Sequence, residues 1–234
     1  MDAVSVAFSF EGLKQDARFV PHLRSSLNHH SAFDEVVLRG LDIAIAALAI
    51  VFLLPLLLVI AAILALQGGP IVFSHKRVGH GGRAFYCYKF RSMVVDAEER
   101  LARLLRDDPQ ALAEWQKDHK LRNDPRVTPF GRFLRRSSID ELPQLFNVLR
   151  GEMSIVGPRP IVDAEVPRYG RRIAAYYRVK PGITGLWQVS GRNDVEYRTR
   201  VAMDCLYAKS VRPSLYIYLV IATVPAVLSR RGSY

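Results

Sequence analysis

The sequence predicts an α/β fold, mostly helical, with a membrane-seeking helix near its N-terminus. Three observations carry this reading. Ile43 to Leu66 is a run of 24 residues without a charge, almost all Ala, Ile, Leu and Val. The 234 residues are 50% hydrophobic and 24% charged, which excludes global disorder and leaves ample chain for a core. Short apolar runs bounded by glycine and proline alternate with segments of helical period, as a mixed fold requires.

Residues 1–33 lack sustained periodicity and read as a loose leader. No basic stretch leads into an apolar core there, so a signal peptide is not expected. Residues 34–68 read as the membrane helix. At 1.5 Å per residue the uncharged run reaches about 36 Å, against a bilayer core of about 30 Å. Pro55 lies near its middle and removes a backbone hydrogen bond, which predicts a kink. Arg39 and Asp42 precede the run and His75, Lys76, Arg77 and Arg83 follow it. These flanks are expected to meet lipid headgroups, the later one on the cytoplasmic side. A single span and a Pro-broken hairpin both fit this composition.

Residues 69–234 read as the folded body. Ile71-Val72-Phe73 and Phe85-Tyr86-Cys87-Tyr88 suit two short strands around the glycine turn at 79–82. Helices are predicted over 96–106, 110–120, 139–150 and 163–177. Asp107-Asp108-Pro109, Asp124-Pro125 and Lys180-Pro181-Gly182 are turns between elements. The last apolar stretch, Leu215 to Leu228, has 14 residues. That is too short to span and suits an interfacial helix with its tyrosines at headgroup level.

Charge and cysteine content narrow the function classes. The net charge is +11, but residues 1–40 hold four Lys/Arg against five Asp/Glu, and the remainder 29 against 17. A body at +12 wants an anionic partner: nucleic acid, anionic lipid or a phosphate-rich substrate. Cys87 and Cys205 form no CxxC and no Cys/His cluster, so neither a disulfide scaffold nor a structural zinc site is expected. No dinucleotide fingerprint, P-loop, HExxH or GxSxG is present.

The residues suited to chemistry lie elsewhere. Ser138-Ile139-Asp140-Glu141 opens the predicted helix over 139–150. One reading is a capping box, with Ser138 as N-cap and Glu141 at the third helical position. The other is a reactive pair, because at 100° per residue Asp140 projects about 170° from the Leu142-centred apolar stripe. A helix N-terminus also attracts phosphate, and carboxylates there would need Arg135, Arg136 and a divalent cation to hold a pyrophosphate. In Gly157-Pro158-Arg159-Pro160 the prolines stiffen the backbone of Arg159, which fits either a surface turn or a pre-organised phosphate fork. Lys89 and Arg91 flank Phe90 and would share one strand face. Arg192 and Asn193 follow Gly191 and would read a base or sugar, or form a turn.

Together these segments resemble the bacterial sugar transferases, the monotopic polyprenyl-phosphate phosphoglycosyl transferases, over roughly Val36 to Leu228. The resemblance rests on Arg39-Gly-Leu-Asp42, Lys89-Phe-Arg-Ser-Met93 and the ordered segment Arg135 to Pro160, including Ser138-Ile-Asp-Glu-Leu-Pro-Gln144. It continues through Lys180-Pro-Gly-Ile-Thr-Gly185 and Gly191-Arg-Asn193. Asn193-Asp-Val195 and the tail are most similar to the galactose-1-phosphate transferases that initiate succinoglycan-type exopolysaccharides.

The resemblance implies a compact cytosolic catalytic domain with a re-entrant membrane helix and interfacial amphipathic helices, on the cytoplasmic face of the bacterial inner membrane. It implies transfer of galactose-1-phosphate or glucose-1-phosphate from a UDP-hexose to undecaprenyl phosphate, with release of UMP. Asp140 would be the nucleophile, forming an aspartyl sugar-phosphate, and Glu141 would help bind Mg2+, or Mn2+. Lys89, Arg91, Arg135, Arg136, Arg159, Arg192 and Asn193 would bind phosphates and substrate, and Arg39, Asp42 and Pro55 would belong to the anchor. The family's break is a Ser-Pro pair, whereas this chain has Leu54-Pro55. A homodimer is left open. The rival is a membrane-anchored nucleic-acid-binding protein that stacks bases on Phe85, Tyr86, Tyr88 and Phe90 beside Lys89 and Arg91. It leaves Asp140 and Glu141 without a role, and no nucleic acid is expected as partner.

Overall fold

The structure is a computed structural model and describes residues 32–118, 121, 123–190 and 196–228. The leader therefore lies almost wholly outside the described residues, as do Arg192 and Asn193. Helix α1 (Ala32–Leu66) is the longest element, 35 residues, and is long and apolar enough to cross a membrane. Strands β1 (Val72–Val78) and β2 (Ala84–Phe90) follow as an antiparallel hairpin. Helices α2 (Ala97–Asp107) and α3 (Pro109–Asp118) pack as a helical hairpin. Helix α4 (Pro129–Arg136) then leads through a 3-10 turn, Ile139–Glu141, into α5 (Gln144–Arg150).

Strand β3 (Ser154–Val156) pairs in parallel with β4 (Gly182–Thr184), in the register Ser154 to Gly182 and Val156 to Thr184. Between them the chain makes single helical turns. Helices α6 (Tyr197–Ser210) and α7 (Pro213–Leu228) complete the described chain. The fold is thus mostly helical with two small sheets, as expected.

Three apolar clusters organise it. The largest joins α1, α5, β3 and α7 through Ala46, Val148, Met153, Val156, Tyr216 and Leu219. A second holds Val78, Ile161, Tyr169, Tyr176 and Val201. The third sets Leu57, Ile60 and Leu64 of α1 against Phe90 and Leu134. Both halves of α1 therefore dock on one body, while its outer face, with Phe52 83% exposed, stays bare.

Several expectations are corrected. Helix α1 runs through Pro55 without interruption, so the break and return expected there is not in the secondary structure. Asp42 is enclosed by protein and so cannot meet headgroups, and Arg39 is half-buried and bound to α5. Arg39 donates to Val148 O at 2.7 Å and Leu149 O at 2.9 Å, capping α5. Asp42 is 3% exposed and accepts from Ser154 Oγ, Ile155 N and Tyr216 Oη, each at 2.8 Å. A buried carboxylate needs such donors, so its neighbours are protein.

The helix expected over 139–150 is split because Pro143 cannot donate within it. That over 163–177 is broken into single turns around Pro167 and Gly170, whose φ is +52°. The turn expected at 180–182 opens into β4. Helices α4 and α6 were not anticipated, although Thr128 caps α4 on Gly131 N at 2.8 Å and Pro129 follows it, a legible start signal.

Candidate active site

The site is built where β2, the 3-10 turn and α5 meet. Ser138 has a left-handed backbone, φ +56°, and makes no cap through its side chain, so the capping box does not form. This twist delivers Asp140 and Glu141 on a tight turn instead of a helix face. Asp140 is 7% exposed, so it is buried in the wall and does not project into solvent as the helical wheel implied.

Asn147 fixes the other side. It is fully buried, its Oδ1 accepts from Tyr88 N at 3.0 Å, and its Nδ2 donates to Tyr86 O at 2.7 Å and to Glu152 Oε2 at 2.7 Å. A side-chain amide that clasps a strand on both backbone groups sets its register, and here it presents Lys89 to the carboxylate turn. Lys89 Nζ lies 2.5 Å from Glu141 Oε1, and Arg159 Nη1 lies 3.7 Å from the same oxygen. Arg77 joins them, donating to Pro160 O at 3.3 Å. Arg77, Cys87, Lys89, Glu141, Gln144 and Arg159 line a small pocket. A broad cleft shares these walls and continues past Asp140, Arg91, Arg135 and Arg136.

The two carboxylates titrate far apart. Burial, reinforced by the neighbouring Glu141 charge, raises Asp140 to about 6 against the pull of Lys89, Arg135 and Arg159. Glu141 is also desolvated, but Lys89, Arg159 and Arg77 outweigh that and hold it down at about 2. Neighbouring acids pushed apart in this way take different roles. Burial and the Arg159 charge lower Arg77, and burial lowers Arg135. At neutral pH the pocket holds a permanently ionised Glu141 among three cations, beside a partly desolvated Asp140. Such a surround suits phosphate, and an ionised Asp140 can act as a nucleophile toward phosphorus.

The structure brings together Lys89, Asp140, Glu141 and Arg159 from the expected set. Arg135 donates from Nε to Ser92 Oγ at 2.8 Å and its charge acts on Asp140. Arg136 is exposed on the cleft wall. Arg91 does not share a face with Lys89, because β2 ends at Phe90 and the alternation ends with it. It turns to α1 and donates to Leu64 O at 3.1 Å. Arg77 was read only as a flank charge. β1 is exposed at its first five positions and shows no period-2 pattern, so nothing in its sequence placed that residue.

Of the four rings that the nucleic-acid reading would stack, Tyr86 is 60% exposed and the other three are engaged by protein. Phe85 and Phe90 are core residues, and Arg150 covers the Tyr88 ring.

No group of three or more His, Cys, Asp or Glu side chains converges among the described residues. The donor set is two adjacent carboxylates, one already paired to Lys89. It fits a hard cation that takes a carboxylate and completes its shell with phosphate oxygens and water, and does not fit an all-protein cage.

Comparison with known proteins agrees with this geometry. The model of the bacterial sugar transferase family matches residues 33–230. The UDP-galactose-lipid carrier transferase of Erwinia amylovora is 49% identical over 212 residues, 91% of this chain and 44% of that protein. The undecaprenyl-phosphate galactose phosphotransferase of Salmonella typhimurium is 46% identical over 240 residues, 99% of this chain and 50% of its own length. The exopolysaccharide production protein ExoY of Rhizobium meliloti is 47% identical over 197 residues, 84% of this chain and 87% of the relative. The chain thus spans about half the length of the first two and most of the third. With a family match over residues 33–230 and a carboxylate pair set among cations, this chain belongs to the bacterial sugar transferase family.

Proposed function

We propose that the protein transfers hexose-1-phosphate from a UDP-hexose to undecaprenyl phosphate on the cytoplasmic face of the bacterial inner membrane, as the first membrane step of exopolysaccharide synthesis. The observation that carries this reading is the carboxylate pair on its tight turn: Asp140 buried in the wall and Glu141 paired to Lys89 and Arg159, with Arg77 in the same pocket. An Asp140 carboxylate oxygen attacks the β-phosphorus. The bond from that phosphorus to the bridging oxygen breaks, and its electron pair leaves with UMP. The ionised phosphate of undecaprenyl phosphate then attacks the same phosphorus. The aspartyl–phosphorus bond breaks and the carboxylate is regenerated, with no change of oxidation state. Lys89, Arg77 and Arg159 hold the donor phosphates and offset the charge that develops on them.

Mg2+, or Mn2+, fits Glu141 together with substrate oxygens, and when bound it would neutralise charge on the pyrophosphate. Seating on one side of the membrane is supported by the docking of both halves of α1 on the body, which leaves a bare apolar face for lipid. The sugar is galactose in this reading, with glucose as its competitor.

The test is UMP release from UDP-galactose and UDP-glucose with undecaprenyl phosphate, together with mass spectrometry of the protein mixed with donor alone. A hexose-phosphate adduct on the peptide bearing Asp140, absent in Asp140→Asn, is expected. Turnover that survives in Asp140→Asn would remove the covalent route.

A further inference from the structure

Arg91 is a buried cation with an unmet demand. It is 8% exposed, and its Nη2 donates to Leu64 O at the end of α1, where helix carbonyls lack intrahelical partners. Its Nη1 is buried and has no hydrogen-bond partner. Among the described residues no carboxylate lies within ion-pair distance of it, whereas Lys89 and Arg159 both have Glu141. A buried guanidinium with one neutral acceptor is costly, and what relieves it is an anion.

Its surroundings say which anion. Gly69, at φ +79°, lets the backbone approach this end closely, since a β-carbon on it would fall 2.6 Å from Nη1 and 2.7 Å from Val95 Cγ2. Leu66, Val72, Phe73 and Val95 are all exposed around this foot of α1. On the inner side Arg91 lines the same cleft as Asp140, through its neighbour Ser92 and Arg135. An unpaired cation between an exposed apolar apron and a reactive carboxylate matches a hydrocarbon chain with a phosphate head. A soluble nucleotide has nothing to place on the apron.

We propose that Arg91 receives the phosphate of the polyprenyl acceptor, and that the cations of the cleft are divided between substrates. Arg77, Lys89 and Arg159, grouped on Glu141, hold the nucleotide sugar; Arg91, at the foot of the membrane helix, holds the lipid head. This rests on the two-step transfer proposed above. Nη1 orients the ionised headgroup so that one of its oxygens attacks the phosphorus carried by Asp140, and no proton has to move.

The two half-reactions separate the roles. Full-length protein in lipid nanodiscs is assayed for exchange of labelled UMP into UDP-hexose without acceptor, and for complete transfer against a titration of undecaprenyl phosphate. Arg91→Gln should keep exchange within about twofold while the KM for undecaprenyl phosphate rises about tenfold or more, the weight of a charge-assisted contact. Arg91→Lys should fall between. Exchange that falls in step with complete transfer in both variants overturns the division, as does an unchanged lipid KM. Inorganic phosphate that competes with UDP-hexose in the wild type but not in Arg91→Gln would assign the guanidinium to a soluble phosphate and overturn it too. A wild type that turns over but shows no exchange disproves the covalent route alone. The lipid KM of Arg91→Gln, set against its KM for UDP-hexose, then decides the Arg91 assignment.

Discussion

Asp140 is a residue held at a thermodynamic disadvantage. Its carboxyl titrates at about 6 in the fold against an ordinary value of 3.8. The folded state therefore binds the proton more tightly, and stability falls as pH rises from about 4 through about 6. Asp140→Asn removes that penalty. It should abolish transfer yet raise unfolding stability at pH 8 by on the order of 2 kcal/mol, with little change near pH 4. Thermal melts of both proteins at the two pH values check this, and a variant that melts lower at pH 8 contradicts it. In the proposed transfer the same carboxyl must be ionised to attack, so the rate of UMP release should rise with pH through an acid limb near 6. Glu141, at about 2, contributes no limb in that window. Its test is Glu141→Gln, or EDTA on the wild type. Each should collapse the rate, with magnesium or manganese restoring only the chelated wild type. Full activity in excess EDTA would refute the metal role.

At the scale of elements, the Asn147 amide joins the backbone of β2 to α5, beside the Arg150–Tyr88 contact and the apolar packing of Leu145 and Val148 on Phe85 and Cys87. Asn147→Ala leaves Tyr88 N and Tyr86 O without their partner in a fully buried position, which should cost about 2–4 kcal/mol. Denaturant unfolding in detergent measures it, and a loss under about 1 kcal/mol would mean the strand is held by its apolar face alone. How far the elements could be read in advance follows from what each depends on. The carboxylate pair, Arg159 and the apolar run were legible because motif and composition are local. The helical hairpin followed from periodicity, the C-terminal helix from its apolar run, and the hairpin strands from the glycine turn between them. The burial of Asp140 was not legible, because Pro143 and the left-handed Ser138 turn a helix face into a wall. Arg91 was misplaced for a similar reason, since an alternation rule says nothing beyond the last residue of a strand. Tyr197–Ser210 was hidden because polar Asp204 sits inside, 2% exposed, and accepts from Tyr169 Oη at 2.8 Å. The tertiary partner that makes this burial acceptable is 35 residues away.

At the scale of the whole molecule, α1 and α7 are in contact, and each keeps exposed apolar residues, Phe52 on α1 and Ile221 and Val224 on α7, which offer apolar surface to lipid. Seating this surface in one leaflet leaves both ends of α1 on the same side of the bilayer. A reporter cysteine at Ser26, in a background lacking Cys87 and Cys205, should then resist a membrane-impermeant thiol reagent in intact cells and react after lysis. Reaction at position 26 in intact cells, with a body cysteine still protected, would establish a true span and refute one-sided seating.

The Asp42 clasp bears on how this protein can be cut. Its three donors come from β3 and α7, the strand and helix on which the largest cluster is assembled. A gene fragment starting after residue 68, made to obtain the body without detergent, would lose Asp42, Arg39 and Ala46 together. It would expose Ser154, Ile155 and Tyr216 with their hydrogens unmatched, and strip the C-terminal cap from the helix that bears Asn147. The anchor is not a tether added to a finished domain but one wall of it. The fragment should therefore collect in inclusion bodies, and co-expressing residues 1–68 as a separate peptide should rescue it better than any solubility tag.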